Sequence, residues 1–166
     1  EKGNTITNNT NNSTNNSNNT TNNMTNNIII HNYGDENTKY ITSEYILNLL
    51  KNKPAKVIPE LIKYTHFNNE HPENQNIKIT NKKEPYVKIM KDNKWQYVDK
   101  KTELIDIIDS KYFLLKERYY KLLEKKKYKL NEQQKTQIDK FIDKYEEDDK
   151  QILLNLINKT ELILLN

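Results

Sequence analysis

Apolar positions along the chain change period three times. Residues 5–27 have almost none, because Asn, Thr and Ser fill them. A β-branched run, Ile28-Ile29-Ile30, is followed by turn-forming His31-Asn32-Tyr33-Gly34-Asp35. Helical spacing then predicts a helix over 42–51, with Thr42 as N-cap, Glu44 in the first turn and Ile46, Leu49 and Leu50 on the apolar face. Lys53-Pro54 ends it. A short helix over 58–65 follows, with Pro59 tolerated in its first turn. Over 66–98 the period falls to two. Ile77 and Ile79 alternate with polar neighbours, Tyr86 to Met90 forms a strand, Asp92-Asn93 turns, and Lys94 to Val98 returns. Trp95 is expected to anchor the core.

From Asp99 the pattern is helical again. Asp99 or Thr102 caps a long helix carrying Leu104, Ile108, Leu115, Tyr119 and Leu122 on one side. Tyr128-Lys129-Leu130 breaks it, and Asn131 with Gln134 caps the next. Ile138, Phe141, Ile142, Tyr145, Ile152, Leu153, Leu156 and Ile157 give that helix its apolar face, and a last turn or short helix covers Thr160–Leu165. The first helix is mostly basic and the second mostly acidic, so an antiparallel pairing would attract along its flanks. The expected class is α+β: an Asn-rich, extended, β-like repeat stalk (1–27), a small α+β domain (28–98), and an antiparallel helical hairpin (99–166) packed on it.

Asparagine pairs in the repeat begin at Asn8, Asn11, Asn15, Asn18, Asn22 and Asn26. Three forms fit this pattern. The first is a disordered polar linker, since the segment buries too little apolar surface to offset its ordering entropy. The second is a heptad coiled coil, against which dense Asn argues. The third is an extended repeat whose amides ladder against a neighbour in register. The ladder requires a solenoid or several identical chains, and an oligomeric stalk, drawn as a homotrimer, is the expectation carried forward. Its inward positions would be Thr10, Ser13, Thr14, Ser17, Thr20, Thr21 and Met24, continuing into Ile28 and Ile30.

Composition narrows the chemistry. The 166 residues are 34% hydrophobic and 30% charged, enough for one ordinary domain once the repeat is set aside. Cysteine is absent, which removes disulfides, thiolate zinc sites and cysteine nucleophiles. Two glycines make a phosphate-cradling loop unlikely to form. The net charge of +4 is mild for a dedicated nucleic-acid binder. The opening Glu1-Lys2-Gly3-Asn4 has no apolar signal segment. No apolar run is long enough to span a bilayer.

His66, His71 and Glu73 resemble a metal cluster, but two histidines in a turn without an assured third ligand are better read as turn caps. No nucleophile, base and orienting group stand together, so no enzymatic activity, cofactor or metal is expected. The basic helix 111–129 is the nucleic-acid candidate, through Lys116, Arg118, Lys121, Lys125, Lys126 and Lys127 with tyrosines between.

The stretch His66-Phe67-Asn68-Asn69-Glu70-His71-Pro72-Glu73-Asn74-Gln75-Asn76-Ile77 carries a resemblance. So do the spacing Tyr86-x-x-Ile89…Trp95 and the run Ile28-Ile29-Ile30-His31-Asn32-Tyr33-Gly34. Over roughly 8–110 the chain resembles the carboxy-terminal part of Asn-rich proteins of giant nucleocytoplasmic large DNA viruses of the mimivirus type. Many of those carry a zinc-finger-like segment, then an Asn/Thr repeat, then this domain. That segment has no counterpart here, so its metal or nucleic-acid role is not carried over. The resemblance implies a viral context, in host cytoplasm or virion, and no particular activity. The expected function is therefore a non-enzymatic, viral-type structural or interaction protein that self-associates through the repeat. The alternative is a nucleic-acid-associated accessory protein using helix 111–129.

Overall fold

The computed structural model describes residues 28–125 and 128–165. The stalk positions Thr10, Ser13, Thr14, Ser17, Thr20, Thr21 and Met24 lie outside them, as do Lys126 and Lys127. What is described is mixed helix and sheet, as the α+β expectation required. Helix α1, Ser43–Asn52, begins where Thr42 Oγ1 accepts the Tyr45 N–H at 3.1 Å, and stops before Pro54, which disfavours helical backbone in the residue ahead of it. A single 3-10 turn, Pro54–Lys56, leads into α2, Val57–His66. Strand β1, Ile77–Lys78, pairs antiparallel with β2, Tyr86–Lys91, and β2 pairs antiparallel with β3, Lys94–Asp99. Helix α3, Lys100–Glu124, starts directly from β3. Asp99 Oδ1 accepts the Thr102 N–H at 2.8 Å.

The remainder is two helices rather than one. Helix α4, Glu132–Glu146, opens on the Asn131–Gln134 capping box, and α5 covers Lys150–Leu164. Between them Asp148 takes a left-handed φ of 55°, which stops α4, and Asp149 caps α5 by accepting the Gln151 N–H. The expected single helix through Ile157 is thus interrupted. Aspartate tolerates left-handed backbone and caps helices well, so Asp148-Asp149 is itself the stop and restart signal. The hairpin is therefore three helices, and Thr160–Leu165 is not a separate turn but the end of α5 and its cap.

α3 packs on α1 and α2, and α5 packs on α2 and α3. Residues before and after residue 98 feed one hydrophobic cluster, from Ile41, Ile46 and Leu61 through Val87 and Ile89 to Ile107, Leu115, Ile138 and Leu164. Each such side chain taken from water contributes roughly 1.5–3 kcal/mol. The α3–α4 flank holds a Lys116–Glu146 ion pair, with the Tyr112 and Tyr145 rings stacked 4.0 Å apart behind it. No helix among the described residues is long and apolar enough to cross a membrane.

Candidate nucleic-acid interface

The β2–β3 turn decides what the sheet displays. Asp92 and Asn93 both adopt positive φ, 50° and 58°, as a two-residue turn matching the strand twist requires. The register that follows sets Lys88 opposite Tyr97, Met90 opposite Trp95, and Tyr86 opposite Asp99. Because side chains alternate, Val87 and Ile89 face the helices and are buried, while Tyr86, Lys88, Trp95 and Tyr97 share the other face. Lys78 joins that face through its pairing with Lys88. On that outer face Met90 is the one buried side chain among the described residues.

The outer face is aromatic and cationic together. Tyr97 is 64% exposed, Tyr86 51% and Trp95 38%. The Lys78 ammonium stands 4.1 Å from the Trp95 ring centre and Lys88 4.7 Å from that of Tyr97. Beside them Thr80, Glu84, Tyr86 and Tyr97 line an open depression of about 500 Å³. Lys82 and Lys83, in the connection between β1 and β2, are exposed. The nearby Asp99 carboxylate is engaged as the cap of α3, and the Thr102 N–H holds it below the usual carboxylate range. A second depression of about 470 Å³, lined by Tyr45, Tyr64 and Asn68, carries Glu60 and Glu70 and is a poorer place for a phosphate.

A buried polar network holds the sheet from behind. The segment 31–37 runs along it: the Tyr33 N–H donates to Met90 O at 2.7 Å, and the Asn93 N–H of the turn donates to Asn32 Oδ1 at 3.1 Å. Asn76 ties this strap down by donating to Asn32 O and Glu36 Oε1. Its own amide oxygen then faces His66 Nδ1 at 2.9 Å, which makes Nδ1 the protonated nitrogen of the ring. Burial, then the nearby Lys111 charge, lowers the His66 pKa and keeps it neutral. Lys111 is only 2% exposed, and burial lowers its pKa too, opposed by Glu36. Burial alone would raise the Glu36 pKa, but the neighbouring His66 and Lys111 with the hydrogen bonds from the Gly34 N–H and Asn76 bring it below the usual carboxylate range.

The sequence candidates fall elsewhere. On α3, Lys116 pairs with Glu146, Lys121 and Arg118 share Glu117, and Lys125 is exposed at the helix end. Of the tyrosines of this helix, Tyr112 and Tyr119 are buried and Tyr120 is exposed. His66 and His71 do not converge. The first is buried against Asn76, and the second stacks on Tyr40 with its Nδ1 3.1 Å from Glu73. Among the described residues no group of three metal-ligating side chains forms. Ile28 is 52% exposed and Ile30 is half-buried.

Trp95, expected to anchor the core, instead lies exposed on the outer sheet face. Strand alternation alone leaves the face of Trp95 open. The signal lay in the turn: with Asp92-Asn93 closing the hairpin, burying Val87 and Ile89 forces Trp95 and Tyr97 outward. No protein-family model matches this chain, and no curated protein or solved structure matches it.

Proposed function

We propose that this chain is a non-enzymatic, nucleic-acid-associated protein that binds through the outer face of its sheet. One observation carries the reading: Lys78 and Lys88 interleave with Tyr86, Trp95 and Tyr97 on a face where, among the described residues, only Met90 is buried. Lysines neutralise phosphates, and aromatic rings on strands receive bases. The basic helix, favoured by sequence alone, has much of its charge already paired with Glu117 and Glu146.

The test is a salt titration of a labelled oligonucleotide against the full chain. Binding is expected to weaken linearly in log affinity against log salt, and to weaken further when Lys78 and Lys88 are both replaced by Met. The control pair, Lys121→Met with Lys125→Met on α3, is expected to change it less. No binding at low ionic strength, or equal effects from the two pairs, would overturn the assignment.

A second reading, self-association through the repeat in a viral-type structural role, is favoured by Ile28 and Ile29, which are 52% and 78% exposed beside it. Apolar side chains there would gain by meeting copies of themselves. Absolute mass by light scattering, on the full chain and on one starting at Ile28, tests it: an oligomer that becomes a monomer supports the stalk, and a monomer in both removes it. Joined heads would also bind one strand more tightly than a single head.

A further inference from the structure

Resting on the nucleic-acid reading above, we infer that the ammonium groups over Trp95 and Tyr97 occupy the places of nucleobases. A single strand binds by inserting bases onto the two rings, while Lys78 and Lys88 move from the rings to its phosphates.

Each part of the exchange has a physical cause. A ring's negative face draws a cation, and with no base present the nearest cations are Lys78 and Lys88, at 4.1 and 4.7 Å. Neither lysine makes an ion pair among the described residues, so leaving the ring breaks nothing else. At exposed rings such a contact is weak, whereas base stacking on an aromatic platform is stronger. The lysine stem is flexible, and its ammonium is a point charge suited to a phosphate. Trp95 and Tyr97, two residues apart on one face, lie about 7 Å from each other, a span adjacent nucleotides of an extended strand can bridge. Among the described residues the lysines stand over Trp95 and Tyr97 and not over Tyr86, which opens on the depression beside Tyr97, so a further base has a place to go. A duplex keeps its bases stacked on each other and offers this face only phosphates.

Trp95 is the single tryptophan of the chain, so its emission reports this site alone. The full chain is titrated with an oligodeoxythymidine strand and with the same strand paired to oligodeoxyadenosine. Binding is followed by anisotropy of a label on the nucleic acid. The single strand is expected to quench Trp95 and to bind more tightly than the duplex. Lys78→Met is expected to lower the salt slope by about 0.7 while the quench persists. Tyr97→Leu is expected to lose roughly five- to 150-fold in affinity with the slope unchanged. Circular dichroism confirms that each variant is folded. Binding of both forms without any change in Trp95 emission would overturn the exchange and leave the nucleic-acid reading standing. So would salt slopes unchanged in both Lys78→Met and Lys88→Met. Failure of both forms to bind at low ionic strength would remove the exchange and that reading together.

Discussion

Helix α3 and the outer face of the sheet are built from the same two residue types, lysine and aromatic, and differ in where the lysines go. On α3 the rings of Tyr112 and Tyr119 turn inward, Phe113 and Tyr120 stay exposed, and Lys116 and Lys121 are neutralised by glutamates. On the sheet Trp95 and Tyr97 stay exposed and the lysines rest on the rings themselves. The difference comes from what stands opposite. α3 is packed against α1, α2 and α5, whereas on the outer face of β2 and β3 only Met90 is buried among the described residues. A composition shared by two segments therefore says little about which one is the working surface.

The sharpest test of the contrast is a matched pair. Tyr112→Ala should cost about 3–5 kcal/mol in urea unfolding, because it empties a buried site and removes the stack on Tyr145. Tyr97→Ala should stay within about 0.5 kcal/mol, as exposed substitutions do, and act on binding instead. Comparable losses at both would erase the distinction.

Next in size is a pH effect from the network behind the sheet. Burial and Lys111 hold the His66 pKa down to about 4, against an ordinary 6.5. Between those values the unfolded chain binds the extra proton, so stability falls as pH drops below 6.5, and the loss is complete below about 4. It amounts to about 3 kcal/mol. Urea midpoints across that window should fall less steeply in His66→Gln, whose side chain does not titrate. Identical slopes would remove His66 as the cause.

Smaller still, Asn93→Val places a β-branched residue at φ 58° and should cost about 1–2 kcal/mol. Single-strand affinity should fall with it, because the turn sets the outward face. The smallest change is expected for Lys116→Met: its ion pair with Glu146 is open to solvent, and the urea midpoint should not move measurably. A large shift would show that the α3–α4 flank matters more than its exposure implies.

What the sequence disclosed was local. Thr42, Asp99 and the Asn131–Gln134 box cap helices by contacts within three residues, and Asp92-Asn93 closes a hairpin by its own backbone preference. What it hid depends on distant partners. Lys111 counts with the other cations of 111–129 and looks solvated until Glu36, 75 positions earlier, is folded near it. The Asn76 bond to Glu36 spans 40 residues and leaves no trace in any periodic pattern. Trp95 was ambiguous for the same reason, since its face follows from Val87 and Ile89 across the turn. The break at Asp148-Asp149 was legible in principle, and the apolar rhythm running past it masked it.

Helix α5 closes the head. Leu164 O accepts the Ile79 N–H at 2.8 Å, just past β1, and Leu156, Thr160 and Leu164 are buried in the packing. During synthesis a chain that has emerged only through Glu146 has every strand and four of the helices described here, yet its sheet edge and the α2 surface lack their cover. The edge of β1 and the apolar face of α2 thus stay open until residue 164 has left the ribosome, so the head completes its packing only when α5 docks.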